Sequence, residues 1–207
     1  MFRVVTVSRE YGSGGGMIAR SVAEKLQWNL LDRTLIAEVA RAAQVTAETA
    51  GRCDEHVDSW WHRFNRGGIQ SLALAGGITP GDARFFDAQT MAGFAQQVIL
   101  KAAAAGGCVI VGRGAQCVLQ DHEDVLHVFV YAPWAERVVR VRARAEGAED
   151  VEELIRVTDR ERANYIQTYY GSDWKDPHLY DMMLSSKFGI ENAASIVVNA
   201  ILGGAPA

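Results

Sequence analysis

The chain has 207 residues, 49% of them apolar, and a formal net charge of −4. That suits one domain, or one domain with an insertion, and excludes a disordered tail, a collagen-like repeat and a small disulfide scaffold. Only Lys25, Lys101, Lys175 and Lys187 are lysines among 21 basic residues, and the near-neutral balance gives no global drive toward nucleic acid or an anionic membrane.

In chain order, Phe2 to Ser8 reads as a buried strand, followed by the cluster Gly12-Ser13-Gly14-Gly15-Gly16. Helical spacing then runs from Met17 to Leu26, with Ile18, Val22 and Leu26 on one face. A short segment, Trp28 to Leu31, leads to a helix from about Thr34 to Ala43, and Thr46 with Thr49 opens another helical stretch. Cys53 to Asp87 is irregular and broken by glycine pairs, so it reads as an inserted lobe or lid. A helix over 88–105 is predicted to stop at Gly106-Gly107.

Cys108 to Val111 and Val125 to Tyr131 are apolar strands, separated by Gly112-Arg113-Gly114. Arginine-rich helices are predicted from Trp134 to Ala145 and from Asp150 to Tyr170. Tyr180 to Leu184 reads as a last short strand and Ile190 to Leu202 as a closing helix. Strands alternating with helices imply a parallel sheet covered on both faces. Cys53, Cys108 and Cys117 form no CxxC pair, no apolar run approaches the roughly 18 residues of a membrane span, and the expected location is cytoplasmic.

A glycine loop between a strand and a helix lets backbone N–H groups converge on an anion, aided by the helix dipole. The segment 8–16 has that form, although a tight packing turn would look the same. A standard phosphate loop, GxxxxGK[ST], also carries a lysine and a hydroxyl. Here Arg9 replaces the first glycine, Gly15 stands at the lysine position and Met17 at the hydroxyl position. Arg9, or an arginine from a lid, is left to supply the charge.

The run VSREYGSGGG and the segments VIVGRGAQCVL at 109–119, HVFVYAP at 127–133, TDRERANYIQTYYGSDWKDPHLYD at 158–181 and SSKFGIENA at 185–193 resemble the cytidylate-kinase-like family of P-loop proteins. The resemblance implies a three-layer α/β/α nucleoside-monophosphate-kinase-like fold with a five-stranded parallel sheet. It implies a core of about 1–33 and 87–207, a monophosphate-binding lobe at about 34–86 and a lid at about 137–176. ATP and Mg²⁺ are the implied cofactors. Arg9, Gly12, Ser13, Gly14, Gly15 and Gly16 would hold the donor's phosphates. Arg113, Asp32 and Arg33 would bind the acceptor, and Arg160 with Arg162 would act in catalysis.

The chain departs from that pattern in four places. Gly112 replaces the aspartate before the arginine of the GR motif, and Gly16-Met17 replaces the family's arginine-glutamate pair. Arg33 and Glu38 stand where cytidylate kinase carries its monophosphate-binding serine and arginine. The resemblance therefore implies phosphoryl transfer from ATP to a nucleoside monophosphate or related small acceptor, or a nucleotide sensor that keeps the fold.

Other features have two readings each. Arg137, Arg140 and Arg144 share a helix face, either as a cationic wall over ATP phosphates or as a solvated face paired with Glu136, Glu146, Glu149 or Asp150. Asp159 is placed to orient Arg156, Arg160 and Arg162. The last two point about 200° apart on a helix, so both reach one ligand only at a helix end. Asp32 is either a helix cap or a residue holding Mg²⁺ through water. Trp60 and Trp61 are either base-stacking residues or a local core. The five histidines lack metal-ligand spacing, so no metal site is expected. The partner expected is a nucleotide or other phosphate-bearing small molecule, with no nucleic acid or membrane, and a homo-oligomer is left open.

Overall fold

The structure, a computed structural model, describes residues 1–32, 88–144 and 150–203. Two compact units divide the chain, 1–33 with 99–207 and 34–98. The expected helices after Thr34 and Thr46, the irregular segment 53–87, Arg33, Trp60 and Trp61 lie outside the described residues.

Strand β1 (Val4–Arg9) leads through the glycine loop into α1 (Gly15–Leu26) and the short β2 (Asn29–Leu31). Helix α2 (Ala88–Ala105) precedes β3 (Cys108–Val111), the one-turn α3 (Ala115–Val118) and β4 (Val125–Tyr131). Helices α4 (Trp134–Arg142) and α5 (Val151–Tyr170), strand β5 (Met182–Ser185) and helix α6 (Ile190–Gly203) complete the chain. The described strands form a five-stranded parallel sheet in the order β2-β3-β1-β4-β5.

The apolar runs are continuous because both sheet faces are covered. Val5 and Val7, Val109 and Val111, and Val128 and Val130 pack with α1 and α6 on one face. On the other, Phe129 lies in an aromatic cluster with Trp174 and Tyr180, at centroid distances of 5.4 and 5.0 Å. Adjacent residues of one strand, such as Val128 and Phe129, thus serve different layers.

Most predicted elements appear within a residue or two. The largest shifts concern two ends. The first arginine-rich helix stops at Arg142 instead of Ala145. The last strand begins at Met182, not Tyr180, because Tyr180 is buried beside Phe129 and donates its hydroxyl to the Trp174 carbonyl at 2.7 Å. Asp181 then closes the sheet edge with its side chain, its Oδ2 accepting from the His127 N–H at 2.7 Å. Asp150 caps α5 by accepting from the Glu153 N–H, and Gly171, at φ 67°, ends it.

Candidate functional site

The β3–α3 connection is a turn of three consecutive left-handed residues, Gly112, Arg113 and Gly114, at φ 75°, 57° and 72°. Left-handed backbone costs a side chain roughly 1–2 kcal/mol. Arg113 carries that strain between two glycines that do not. The turn is clamped from outside: the Tyr170 hydroxyl donates to the Arg113 carbonyl at 3.2 Å, and a Cβ on Gly114 would lie 2.2 Å from the Tyr170 ring.

Beside this turn is a cavity of about 220 Å³ at the C-terminal ends of β1 and β3, roofed by α5. Arg9, Arg113 and Arg162 line it, opposed by Glu161, with Ile166 and Trp174 as its apolar wall. Arg162 donates to the Arg9 carbonyl at 2.5 Å and its guanidinium lies over the Tyr11 ring at 5.5 Å.

Gln116, only 1% exposed, also lines the cavity. Its Oε1 accepts from the Ser8 hydroxyl at 3.0 Å, which leaves the amide N–H₂ without a partner. The Arg113 Nε and the Tyr165 hydroxyl, on two further lining residues, are also buried without a hydrogen-bond partner. Each such group costs about 1–3 kcal/mol unless something accepts from it. Burial pushes the Tyr165 phenol upward, so it stays a protonated donor at neutral pH. Three arginines, one of them with an unmet Nε, together with the unmet Gln116 amide and Tyr165 hydroxyl, describe a place for an anion rich in acceptor oxygens.

The glycine loop is arranged differently. Gly12 to Gly15 are buried, and the Ser13 hydroxyl donates to the Glu10 carbonyl at 2.8 Å. Tyr11 gives its N–H to Asp159 Oδ1 at 2.7 Å. The N–H groups of Gly12, Gly14 and Gly16 take no acceptor among the described residues. These three remain suited to an anion. The described residues offer no ligand set of their own for a magnesium ion. Met17, 52% exposed, occupies the hydroxyl position, and the described residues contain no cluster of three or more metal-ligating side chains.

Two expectations about the arginine helices need correction. Arg137 belongs neither to a cationic wall nor to a solvated face. It is 5% exposed, donates from Nε to the Tyr11 carbonyl at 2.7 Å, and pairs with Glu10 at 3.2 Å and with Asp159. Asp159 orients this buried arginine and the loop, instead of Arg156, Arg160 and Arg162. Arg140 does pair with Glu136, at 2.7 Å, but its other amine reaches Ser186 Oγ at 3.0 Å and the Ser13 carbonyl at 3.3 Å.

Of the remaining sequence candidates, Arg9, Arg113 and Arg162 meet in the cavity. Arg160 is exposed, does not line it, and pairs with no described residue. Asp32 is half-buried at the end of β2, away from the cavity lining. Ser13 is turned into its own loop. Gln116, Tyr165 and Trp174 are lining residues that sequence reasoning missed. The available signal was weak: a glutamine three residues after the arginine of a double-glycine turn.

Buried thiols contribute no reactivity here, since desolvation pushes Cys108 up to about 12 and Cys117 to about 11.

The sheet order, the layered helices and the loop after β1 define a P-loop α/β kinase fold. A solved but uncharacterised protein from Eubacterium ventriosum superposes with a TM-score of 0.70 at 22% identity, covering 97% of this chain and 98% of that one. Shikimate kinase from Acinetobacter baumannii, in complex with shikimate, gives 0.50 at 13% identity over 100% and 97%. At these identities the likeness concerns the fold alone. The model of the cytidylate kinase-like family matches residues 4–187, and the chain belongs to that family. A cytidylate kinase from Methanosarcina mazei is 31% identical over 81 residues, which span 38% of this chain and 45% of that protein.

Proposed function

We propose that the chain transfers the terminal phosphoryl group of ATP to a small phosphate-bearing acceptor, a nucleoside monophosphate or a relative of one. The observation that carries this reading is the convergence of Arg9, Arg113 and Arg162 with three unmet donors on one cavity. In such a transfer the bond from the γ-phosphorus to the bridging oxygen breaks, an acceptor oxygen bonds to the same phosphorus, and ADP leaves. Protein groups contribute mainly by placing the partners and neutralising charge. Arg113 and Arg162 would fix the acceptor by charge-assisted hydrogen bonds, and Trp174 with Ile166 would exclude water from one side. Any Mg²⁺ would be held by the nucleotide's own phosphates. The lobe at about 34–86 and the lid at about 137–176 belong to this proposal, with Arg160 able to contribute only through lid movement.

A second reading, a nucleotide sensor without turnover, is favoured by Gly15 and Met17 at the lysine and hydroxyl positions. Calorimetric titration of ATP, ADP, AMP and CMP, with and without Mg²⁺, is to be paired with an assay of ADP formation across a nucleoside-monophosphate panel. Transfer to at least one acceptor is expected, with affinity reduced about tenfold or more in Arg162→Ala and unchanged in Arg160→Ala. Binding without transfer to any acceptor would support the sensor reading, and absence of binding would overturn both.

A further inference from the structure

Two departures from the usual phosphate loop fall at Arg9 and Gly15, a departure from the family's GR motif falls at Gly112, and one side chain connects all three positions. Arg9 ends β1 and runs across the start of α1. A Cβ placed on Gly15 would lie 2.5 Å from the Arg9 Cβ, 3.0 Å from its Cγ and 3.2 Å from the Val130 Cβ. Gly15 has no left-handed backbone to explain its identity, so the glycine answers to space. At the far end of the same side chain, a Cβ on Gly112 would lie 2.2 Å from the Arg9 Nη1 and 3.3 Å from its Cζ. The stem of Arg9 therefore rests on Gly15 and its guanidinium rests on Gly112, at the cavity wall.

We infer that Arg9 supplies the phosphate-binding cation that a lysine at position 15 would otherwise provide, that Gly15 is a glycine because Arg9 occupies its side-chain space, and that Gly112, already favoured as glycine by its left-handed backbone, leaves room for the guanidinium. The charge is relocated from the head of α1 to the Gly112–Gly114 turn, next to Arg113. Arg162 holds the arrangement by donating to the Arg9 carbonyl. A lysine at 15 is sterically incompatible with the Arg9 stem in this position, whereas a side chain at 112 would meet only the movable guanidinium end and would also sit on left-handed backbone. Arg9 and Gly15 therefore form one coupled change and do not count as two separate losses. A guanidinium suits the task, being permanently charged and able to bind two phosphate oxygens at once.

The inference rests on the reading that the cavity takes a phosphate-bearing ligand, and the probes are CMP, AMP and pyrophosphate, titrated calorimetrically. Arg9→Met keeps an unbranched stem over Gly15 and removes only the charge. Its affinity is expected to fall about tenfold or more while its thermal midpoint stays within about 3 °C of wild type. Gly15→Lys alone is expected to lower both affinity and stability, because two side chains compete for one space. Arg9→Gly combined with Gly15→Lys is expected to recover affinity to within about threefold of wild type, a non-additivity that independent sites do not show. Unchanged affinity in Arg9→Met overturns the inference, as does additivity of the Arg9→Gly and Gly15→Lys effects. If wild-type protein binds none of the probes, the reading of the cavity itself fails.

Discussion

The glycine loop and the arginine cavity adjoin through β1, yet they treat charge in opposite ways. Around the loop the cations are already matched: Arg137 lies between Glu10 and Asp159, and Arg140 is pinned by Glu136 and Ser186. Around the cavity, Arg9, Arg113 and Arg162 lie among lining residues that include one described carboxylate, Glu161, and three buried donors, the Gln116 amide, the Arg113 Nε and the Tyr165 hydroxyl, have no acceptor. Buried charges that are paired hold a structure together, whereas unmet donors in a cavity cost stability until a ligand arrives. The arginines therefore divide into those that build the loop and those that line the cavity, and helix-face position does not tell one group from the other.

Breaking the paired side gives the largest expected effect. Asp159→Ala would leave Arg137 buried with only Glu10 facing it and would free the Tyr11 N–H. Removing one partner of a buried ion pair costs about 3–5 kcal/mol. The lower end applies here because Glu10 remains, so a loss of about 3 kcal/mol is expected in urea denaturation. A loss under about 1 kcal/mol would mean that the loop does not depend on this network.

On the cavity side the sign of the stability change is expected to reverse. Arg113→Gly removes a side chain from left-handed backbone, so the protein should gain about 1 kcal/mol while affinity for phosphate-bearing ligands falls tenfold or more. Denaturation midpoints and calorimetry on the same preparation check both halves. Stability and affinity falling together would make Arg113 a structural residue.

How much of this was legible in the sequence depends on the range of the interaction. Cys108 to Val111 and Val125 to Tyr131 were readable because buried parallel strands are apolar at nearly every position, His127 being the polar exception. The stop at Gly106-Gly107 was readable because it is local backbone chemistry, and Asp150, read only as the start of its helix, proves to cap it. Arg137 was not, since its partners Glu10 and Asp159 are brought to it only by the fold. Gln116 escaped because its importance lies in an amide end left unpaired once Ser8 has taken the other, and no spacing rule records that. The missing lysine was visible as an absence, but its reason was not. Gly15 and Gly112 lie far apart in sequence, and only the path of Arg9 shows that they share one neighbour.

The smallest expected effect tests whether the loop retains any demand for charge of its own. Gly16 lies in the first turn of α1, is exposed, and has nothing within 4 Å of where a Cβ would be. Gly16→Arg, which restores the arginine found there in the family's common run, has no packing cost to meet. It places a cation at the positive end of a helix dipole, a penalty of only about 0.3–1 kcal/mol at an exposed site. Stability is therefore expected to stay within about 1 kcal/mol of wild type. If the loop's N–H groups receive a donor phosphate, ATP affinity should rise about two- to threefold at low salt, and the gain should fade as ionic strength increases. An ATP affinity that does not move at any salt concentration would leave the cavity as the sole anion site of the pair, with Arg9 committed to it alone.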